Sequence, residues 1–160
     1  MAEIELKELG IGDAGWLIWQ HAELYARDEG FDMTFEALVA EILADHIRNR
    51  DPTCERAFIA WRDGERLGSV FCSRHDAQTA RLRMFLVLPE ARGLGLGKHL
   101  LAACMEYARS RGYSRMILYT HKSHEAACAL YARSGWICTK SYPVDNFGVA
   151  LEEMWWEVEL

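Results

Sequence analysis

The sequence predicts a single mixed α/β domain, and three observations support this fold class. A chain of 160 residues is long enough to bury one core and too short for two ordinary domains. In the first half, strand-like apolar segments follow one another across short turns, which is typical of antiparallel strands. In the second half, strands alternate with amphipathic helices, which indicates crossover connections and locally parallel strands.

The N-terminal third is predicted to contain one strand and two helices. Apolar residues spaced among charges predict a short strand over residues 3–9. Gly12-Asp13 favours the start of a helix that covers residues 13–27. Thr34 is the expected N-cap of a second helix, which ends at Asp51-Pro52 because a residue before proline disfavours helical backbone.

The next segment is predicted to form three antiparallel strands. The first two cover residues 56–61 and 66–74, and Asp63-Gly64 between them is a strong hairpin signal because both turn positions accept positive φ. The third strand covers residues 80–88 and stops at Pro89. Its end is apolar on both faces, which is expected of a strand in the centre of a sheet.

The second half is predicted to alternate between helix and strand. One amphipathic helix covers residues 97–110, and another starts at an expected cap, Ser123. Gly112 and Gly135 stand where the C-terminal turns of these helices belong. The strands predicted around the helices cover residues 116–119, 136–140 and 154–158.

The composition favours a globular protein in a reducing compartment. The formal net charge of −6 argues against bulk nucleic-acid binding, which needs clustered basic residues. An odd number of cysteines without a Cys-x-x-Cys pair argues against a disulfide framework and favours a cytoplasmic location. The first residues lack the apolar run of a signal peptide, and no stretch approaches the roughly 18 apolar residues of a membrane span. The cysteines are Cys54, Cys72, Cys104, Cys128 and Cys138.

A glycine-rich loop at residues 89–98 is the most informative segment of the chain. It joins a buried strand to the N-terminus of a helix, where free N–H groups and the helix dipole favour an anion such as phosphate. Glycine lets the backbone approach a ligand closely, and Arg92 and Lys98 add positive charge. The sequence therefore predicts a phosphate-binding loop.

Two common phosphate-binding motifs do not fit this loop. A Walker A motif needs four residues before Gly-Lys-Ser/Thr, but three residues separate Gly93 from Gly97, and His99 replaces the hydroxyl residue. A dinucleotide fingerprint needs Gly-x-Gly-x-x-Gly after an early strand, whereas these glycines alternate after the fourth strand.

The loop instead matches the pattern Arg-x-x-Gly-x-Gly, through Arg92, Gly95 and Gly97, and here the chain resembles the GCN5-related N-acetyltransferase (GNAT) superfamily. Residues 85–90 resemble the family's preceding strand, and residues 127–136 resemble its later helix and strand. The order of elements also matches, so the resemblance covers nearly the whole chain. Residues 146–157 resemble a bacterial subgroup whose domains are in some cases fused to MarR-type regulators.

The resemblance implies a fold and a cofactor. The expected GNAT fold is a central mixed sheet of about seven strands with four helices, splayed between the fourth and fifth strands. The expected cofactor is acetyl-CoA, with its pantetheine arm on the main chain of Leu86 and Val87 and its pyrophosphate on the loop. The cofactor-binding residues implied in this way are Phe85, Leu86, Val87, Arg92, Gly93, Leu94, Gly95, Leu96, Gly97, Lys98, His124, Ala127 and Tyr131.

The resemblance also implies a reaction, acetyl transfer to an amine by direct attack. Tyr131 matches the family tyrosine that acts as general acid, and a phenol can donate a proton to a thiolate. His121 and His124 are candidates for the general base because histidine titrates near neutral pH. Glu153, Glu23 or a chain of waters are further candidates. His124 replaces an asparagine of many relatives, which leaves one CoA contact open.

The acceptor stays open at this point. The acidic charge agrees with a small cationic amine, but amino acids, peptide N-termini and protein lysines remain alternatives, as does a CoA-sensing module with little activity. The Trp and Tyr residues of the first helix, Trp16, Trp19 and Tyr25, are candidates for lining the acceptor pocket, and the alternative is that Trp16 and Trp19 belong to the core. No metal is expected, because His121-x-x-His124 and Cys72-x-x-His75 each supply only two ligands. No nucleic-acid or membrane partner is expected, and a homodimer stays open.

Overall fold

The computed structural model describes residues 3–160. In this range the chain forms seven strands and four α-helices, in the predicted order. They are β1 (Glu5–Lys7), α1 (Asp13–Glu29), α2 (Met33–Asn49), β2 (Arg56–Arg62), β3 (Glu65–Arg74), β4 (Thr79–Val87), α3 (Leu96–Ser110), β5 (Arg115–His121), α4 (Glu125–Arg133), β6 (Ile137–Asn146) and β7 (Val149–Glu159). A short 3₁₀ turn, Pro89–Ala91, follows β4.

All seven strands belong to one sheet with the order β1-β2-β3-β4-β5-β7-β6. The pairing is antiparallel throughout, except that β4 and β5 are parallel and are connected by α3. The predicted mixed α/β class, with seven strands and four helices, is confirmed.

The sheet opens between β4 and β5. These strands pair only through Thr79↔Arg115, Ala80↔Met116 and Arg81↔Ile117, after which they separate. Opposite this opening the β3–β4 register shifts between Ser69 and Phe71, and Met84 has a positive φ of 53°. The splay expected between the fourth and fifth strands is therefore present.

A glycine on β3 allows this irregular region to form. A Cβ atom at Gly68 would lie 2.3 Å from the carbonyl oxygen of Leu86, well inside van der Waals contact. The Ser69 hydroxyl then donates a hydrogen bond of 2.7 Å to the carbonyl of Met84. Together, these contacts fix the bend of β4 at the edge of the opening.

Helices cover the sheet on both faces, and each face has its own core. Helices α3 and α4 pack on one face, and α1 and α2 pack on the other. The α3 side buries Val70, Leu82, Leu100, Leu101, Met116 and Leu118. The α1–α2 side buries Leu17, Val39, Leu43, Ile59, Phe71 and Leu86.

Two predicted helix caps were wrong by one or two residues. The N-cap of α2 is Asp32, whose carboxylate accepts a 3.0 Å hydrogen bond from the N–H of Thr34. The N-cap of α4 is His124, with no side-chain cap. Ser123 lies one residue too early, in a turn closed by the His124 N–H and the His121 carbonyl at 3.0 Å.

The C-terminal hairpin is longer than predicted. Strands β6 and β7 extend to a tight turn at Phe147-Gly148, with φ values of 55° and 79°. Pro143 in the middle of β6 argues against a strand when only the sequence is considered. The structure tolerates this proline because β6 is an edge strand. The predicted hairpin turn at Asp63-Gly64 is confirmed by φ values of 51° and 76°. No helix in residues 3–160 is both long and apolar enough to span a membrane.

Candidate functional site

A cavity of about 420 Å³ lies where β4 and β5 separate. Helices α1 and α2, strands β4 and β5, helix α4 and the β6–β7 hairpin all contribute to its lining. The hairpin closes one end, since the carbonyl of Phe147 accepts a 3.0 Å hydrogen bond from the N–H of Asp32 at the start of α2. The splay of the sheet thus becomes a cleft that the hairpin covers at one end.

The glycine-rich loop presents a row of free backbone donors beside this cleft. Gly93 and Gly95 adopt left-handed backbone with φ values of 81° and 75°, and Gly95 is the N-cap of α3. Within residues 3–160, no group accepts a hydrogen bond from the N–H groups of residues 93–98. The first paired donor is the N–H of His99, bonded to the Gly95 carbonyl at 3.0 Å. Such a run of N–H groups at a helix start suits an anion.

The space in front of the loop is open and carries positive charge. A Cβ atom at Gly93 or Gly95 would meet no atom of the described chain within 4 Å. Lys98 is exposed. The Arg92 guanidinium lies 3.9 Å from a carboxylate oxygen of Asp28, and an exposed ion pair of this kind contributes little to stability. The predicted residues of the loop are therefore together and accessible, apart from the buried side chain of Leu96 and the half-buried Gly97.

Strand β4 offers an unpaired edge between the loop and the cavity. The N–H of Leu88 donates to the carbonyl of Leu67 on β3 at 2.9 Å. Because backbone direction alternates along a strand, Leu86 also directs its backbone to β3, while Phe85 and Val87 direct theirs to the opening. Of the two predicted backbone contacts, Val87 thus faces the opening, whereas Leu86 faces β3 and contributes mainly buried apolar surface. The backbone of Phe85 takes the place expected of Leu86.

Tyr131 and Ala127, on α4, line the cavity. The Tyr131 ring is buried among the rings of Phe85, Trp136 and Trp156, at centroid distances of 6.1, 5.7 and 6.0 Å. Its hydroxyl makes no hydrogen bond within the described chain. Burial raises the pKa of this phenol well above its ordinary value, so it stays protonated.

The two predicted histidines both reach the cavity, in different surroundings. His124 Nδ1 lies 3.0 Å from the Thr120 hydroxyl, and its Nε2 is 3.6 Å from a Glu29 carboxylate oxygen. Burial lowers the pKa of His124 to about 4. His121 is less enclosed, and its buried Nδ1 has no hydrogen-bond partner in the described chain. Burial lowers its pKa too, while Glu153 and Glu29 oppose the shift.

Glu153 lies beside His121 in the lining of the cavity. The two residues are partners in the β5–β7 register. The Glu153 carboxylate accepts hydrogen bonds from the Tyr142 hydroxyl and, at 3.2 Å, from Trp155 Nε1. This network holds the carboxylate in place next to the imidazole.

Other residues singled out in the sequence lie elsewhere. Glu23 is exposed and does not line the cavity. Trp16 packs against the α1–α2 core, and Trp19 is 56 % exposed, so neither forms the pocket. In residues 3–160, no three histidine, cysteine, aspartate or glutamate side chains group as metal ligands.

Three further cavity residues, Arg81, Arg83 and His21, were not evident from the sequence. Arg81 and Arg83 stand at alternate positions of β4. Two charged residues in a strand that is otherwise mainly apolar could have indicated that they have a role in the site. His21 of α1 also lines the cavity, as does Tyr25, for which the sequence left this position open. His21 Nδ1 is bonded to the Leu17 carbonyl at 2.8 Å, and burial lowers its pKa to about 4, so it is neutral.

Residues 20–136 match the model of the acetyltransferase (GNAT) family. An uncharacterised N-acetyltransferase of Schizosaccharomyces pombe is 32 % identical over 128 residues, which are 76 % of this chain and 77 % of that protein. The mycothiol acetyltransferase of Cellulomonas flavigena is 34 % identical over 91 residues, 51 % of this chain and 26 % of its own length. The match thus spans about a quarter of the length of the mycothiol acetyltransferases.

Solved structures share the fold at low sequence identity. A proposed acetyltransferase from Salmonella typhimurium, solved with its cofactor acetyl-CoA, has a TM-score of 0.75 at 17 % identity. The superposition covers 99 % of this chain and 95 % of that one. The narrower likeness of residues 146–157 to the MarR-associated subgroup stays a prediction.

Proposed function

The chain belongs to the acetyltransferase (GNAT) family, and from this we propose that it transfers an acetyl group from acetyl-CoA to a primary amine of a small molecule. The observation that carries the proposal is the continuity of three features. A row of free N–H groups leads along the open edge of β4 into a cavity that contains Tyr131. Mycothiol acetyltransferases among the relatives are consistent with a small-molecule acceptor.

The residues present fit acetyl-CoA. The N–H groups of residues 93–98 would hold the pyrophosphate, and the glycines there leave the space in front of the loop open. The backbone of Phe85 and Val87 would pair with the pantetheine amides as an added strand does. Ala127, His124 and Tyr131 would line the thiol end. When bound, acetyl-CoA supplies the acetyl group as an activated thioester.

Tyr131 would act as the general acid. As the amine nitrogen bonds to the thioester carbon and the carbon–sulfur bond breaks, the sulfur keeps the electron pair and takes the phenol proton. The hydroxyl is protonated at all physiological pH values and has no competing acceptor in the described chain. A backbone N–H near Val87 would polarise the thioester carbonyl. Much of the acceleration would come from holding the two reactants together.

His121 would accept the proton that the amine loses, directly or through water. Its Nδ1 is free of partners in the described chain, and Glu153 beside it stabilises the imidazolium that forms. His124 is the weaker candidate because its pKa of about 4 leaves little basicity. Glu23 is too far from the cavity to serve.

A calorimetric titration with acetyl-CoA, ATP and NAD, followed by an amine panel assayed by CoA release, tests the proposal. We expect micromolar binding of acetyl-CoA alone and acetylation of at least one small amine. No acetyl-CoA binding by folded protein would overturn the donor assignment. Binding without turnover of any amine would favour a CoA-sensing module instead.

A further inference from the structure

Two arginines of β4 face the cavity, and neither has an ion-pair partner among residues 3–160. Arg81 and Arg83 point to the α1–α2 side of the sheet, whereas Leu82 between them is buried on the α3 side. In residues 3–160, neither guanidinium lies within 4 Å of a carboxylate. The Nε of Arg81 is shielded from solvent and has no hydrogen-bond partner.

The neighbouring groups orient these arginines, and none of the described carboxylates forms a direct ion pair with either of them. The Arg81 guanidinium lies 4.4 Å from the centre of the Tyr119 ring, a cation–π contact that fixes its plane. Among the described residues that line the cavity, Glu153 is the carboxylate; it attracts Arg81 from beyond ion-pair distance and accepts hydrogen bonds from Tyr142 and Trp155. Asp45 acts on Arg83 only at long range and accepts a 2.8 Å hydrogen bond from Asn49.

Holding two cations in this position without a counter-ion is unfavourable. Burial lowers the pKa of Arg81, and burial together with repulsion from Arg81 lowers the pKa of Arg83 to about 10. A desolvated charge is costly unless it is paired and hydrogen-bonded. An oxyanion between the two guanidinium groups would supply both the opposite charge and the hydrogen-bond acceptors, since arginine binds carboxylates through paired N–H donors.

We propose that Arg81 and Arg83 bind a carboxylate carried by the acceptor, so that the substrate is a small amino acid or a similar amino-carboxylate. This inference rests on the proposed acetyltransferase function and specifies its acceptor. His121 and Glu153 lie across the same cavity on β5 and β7, so one molecule can present its carboxylate to β4 and its amine to His121. The cavity of about 420 Å³ is of the size that small-molecule ligands occupy.

The charges of the cavity and of the whole chain favour different acceptors. The net charge of −6 agrees with a cationic amine such as a polyamine. Coulomb interactions decay with distance and are screened by salt, so two half-buried arginines in the cavity, against the one carboxylate of Glu153 among its described lining residues, outweigh acidic residues spread over the surface. An amine without a negative group would face repulsion from this pair.

The test compares each L-amino acid of a panel with its own carboxamide. We expect the acid to be acetylated with a kcat/KM at least tenfold higher than that of the carboxamide. The carboxamide has the less basic amine, so a larger neutral fraction cannot explain a preference for the acid. Equal rates, or a preference for carboxamides or polyamines, would overturn the inference and leave the acetyltransferase function intact.

Variants of the two arginines test whether Arg81 and Arg83 cause the preference for the acid over the carboxamide. We expect Arg81→Gln and Arg83→Gln each to raise KM for the acid by at least tenfold, with unchanged KM for the carboxamide and unchanged Kd for acetyl-CoA. Arg81→Lys and Arg83→Lys should restore part of the loss. Arg115→Gln is the matched control, because Arg115 stands on β5 outside the cavity and pairs with Glu157 at 3.6 Å.

A binding measurement keeps the inference testable even if no amine is acetylated. The thermal unfolding midpoint of the wild type should rise with the amino acids and not with their carboxamides, and the Arg81→Gln/Arg83→Gln double variant should show no rise. Stabilisation without turnover would mean that the proposed function fails while the carboxylate site stands. Stabilisation by neither class would mean that the site itself is wrong.

Discussion

Tyr131 is placed so that its ring and its hydroxyl have separable roles. The ring fills space between Phe85, Trp136 and Trp156, whereas the hydroxyl projects without a partner in the described chain. A change that keeps the ring should therefore keep the fold and the donor site.

We predict that Tyr131→Phe lowers kcat roughly a hundredfold, the lower range of general acid catalysis, and leaves the Kd for acetyl-CoA within about twofold. The comparison is steady-state turnover against calorimetric binding. Tyr107→Phe is the control, since Tyr107 is a tyrosine of α3 outside the cavity. Unchanged turnover in Tyr131→Phe would remove this residue from the mechanism.

His121 should leave a signature in the pH dependence. The neutral imidazole accepts a proton, so activity is present above its pKa and lost as pH falls through it. Burial holds that pKa below the ordinary 6.5. We predict an acid limb of kcat/KM below pH 6.5 that disappears, along with most of the rate, in His121→Gln. If kcat/KM of His121→Gln fell in the same way at acid pH, the titrating group would be a residue other than His121.

At the scale of elements, the two ends of α3 provide a matched pair of positions. Gly95 precedes the helix and Gly112 follows it, both with left-handed backbone, φ 75° and 90°, and both with nothing within 4 Å of an added Cβ. Asparagine tolerates this backbone conformation. A side chain placed at Gly95, however, would enter the proposed pyrophosphate site.

We predict that Gly95→Asn weakens acetyl-CoA binding at least tenfold, about 1.4 kcal/mol, whereas Gly112→Asn leaves it unchanged. The two variants should lose similar unfolding free energy, because each strains one left-handed position. Calorimetry measures the first quantity and chemical denaturation the second. Equal affinities in both variants would disprove the assignment of the loop.

The two hairpins show which elements local sequence determines. Asp63-Gly64 joins two apolar strands, and both the turn and its strands are predicted correctly. Phe147-Gly148 has the same backbone but begins with a bulky residue, and β6 is polar and interrupted by Pro143. Pairing with β7 and the contact of Phe147 with Asp32 stabilise that hairpin, and neither interaction is local in sequence.

The residues of the site also fall into a part that local sequence determines and a part that depends on contacts between distant segments. The glycine loop is one contiguous segment, so the identity and order of its residues are enough to recognise it. The acceptor side is assembled from α1, α2, β4, β5 and the β6–β7 hairpin, and the sequence does not indicate that Arg81, His21 and Glu153 share a cavity. Short motifs therefore predict the donor half of the site better than the acceptor half.

At the scale of the whole molecule, buried histidines link stability to pH. His21 has a pKa lowered from 6.5 to about 4, so the folded state resists a proton that the unfolded chain accepts. Its contribution is fully present above pH 6.5 and is lost as pH falls toward 4. The maximum loss from this group is about 3 kcal/mol.

We predict that the free energy of unfolding falls between pH 6.5 and 4 and that His21→Gln flattens part of this slope. Chemical denaturation at a series of pH values measures both. His75→Gln serves as the control, because His75 is exposed. If His21→Gln does not fold, His21→Leu provides the same comparison without a titrating group. A slope unchanged by either variant would assign the pH dependence to other groups.

The short β4–β5 pairing also has a mechanical consequence. Three residue pairs join these strands, against six between β3 and β4 and seven between β5 and β7. Three residue pairs also join β1 to β2, but these strands lie at the edge of the sheet. Under a force that pulls β2 and β7 apart, we expect β4 and β5 to separate first. The cleft proposed to admit the ligands is thus also the line of fewest strand pairs in the interior of the sheet.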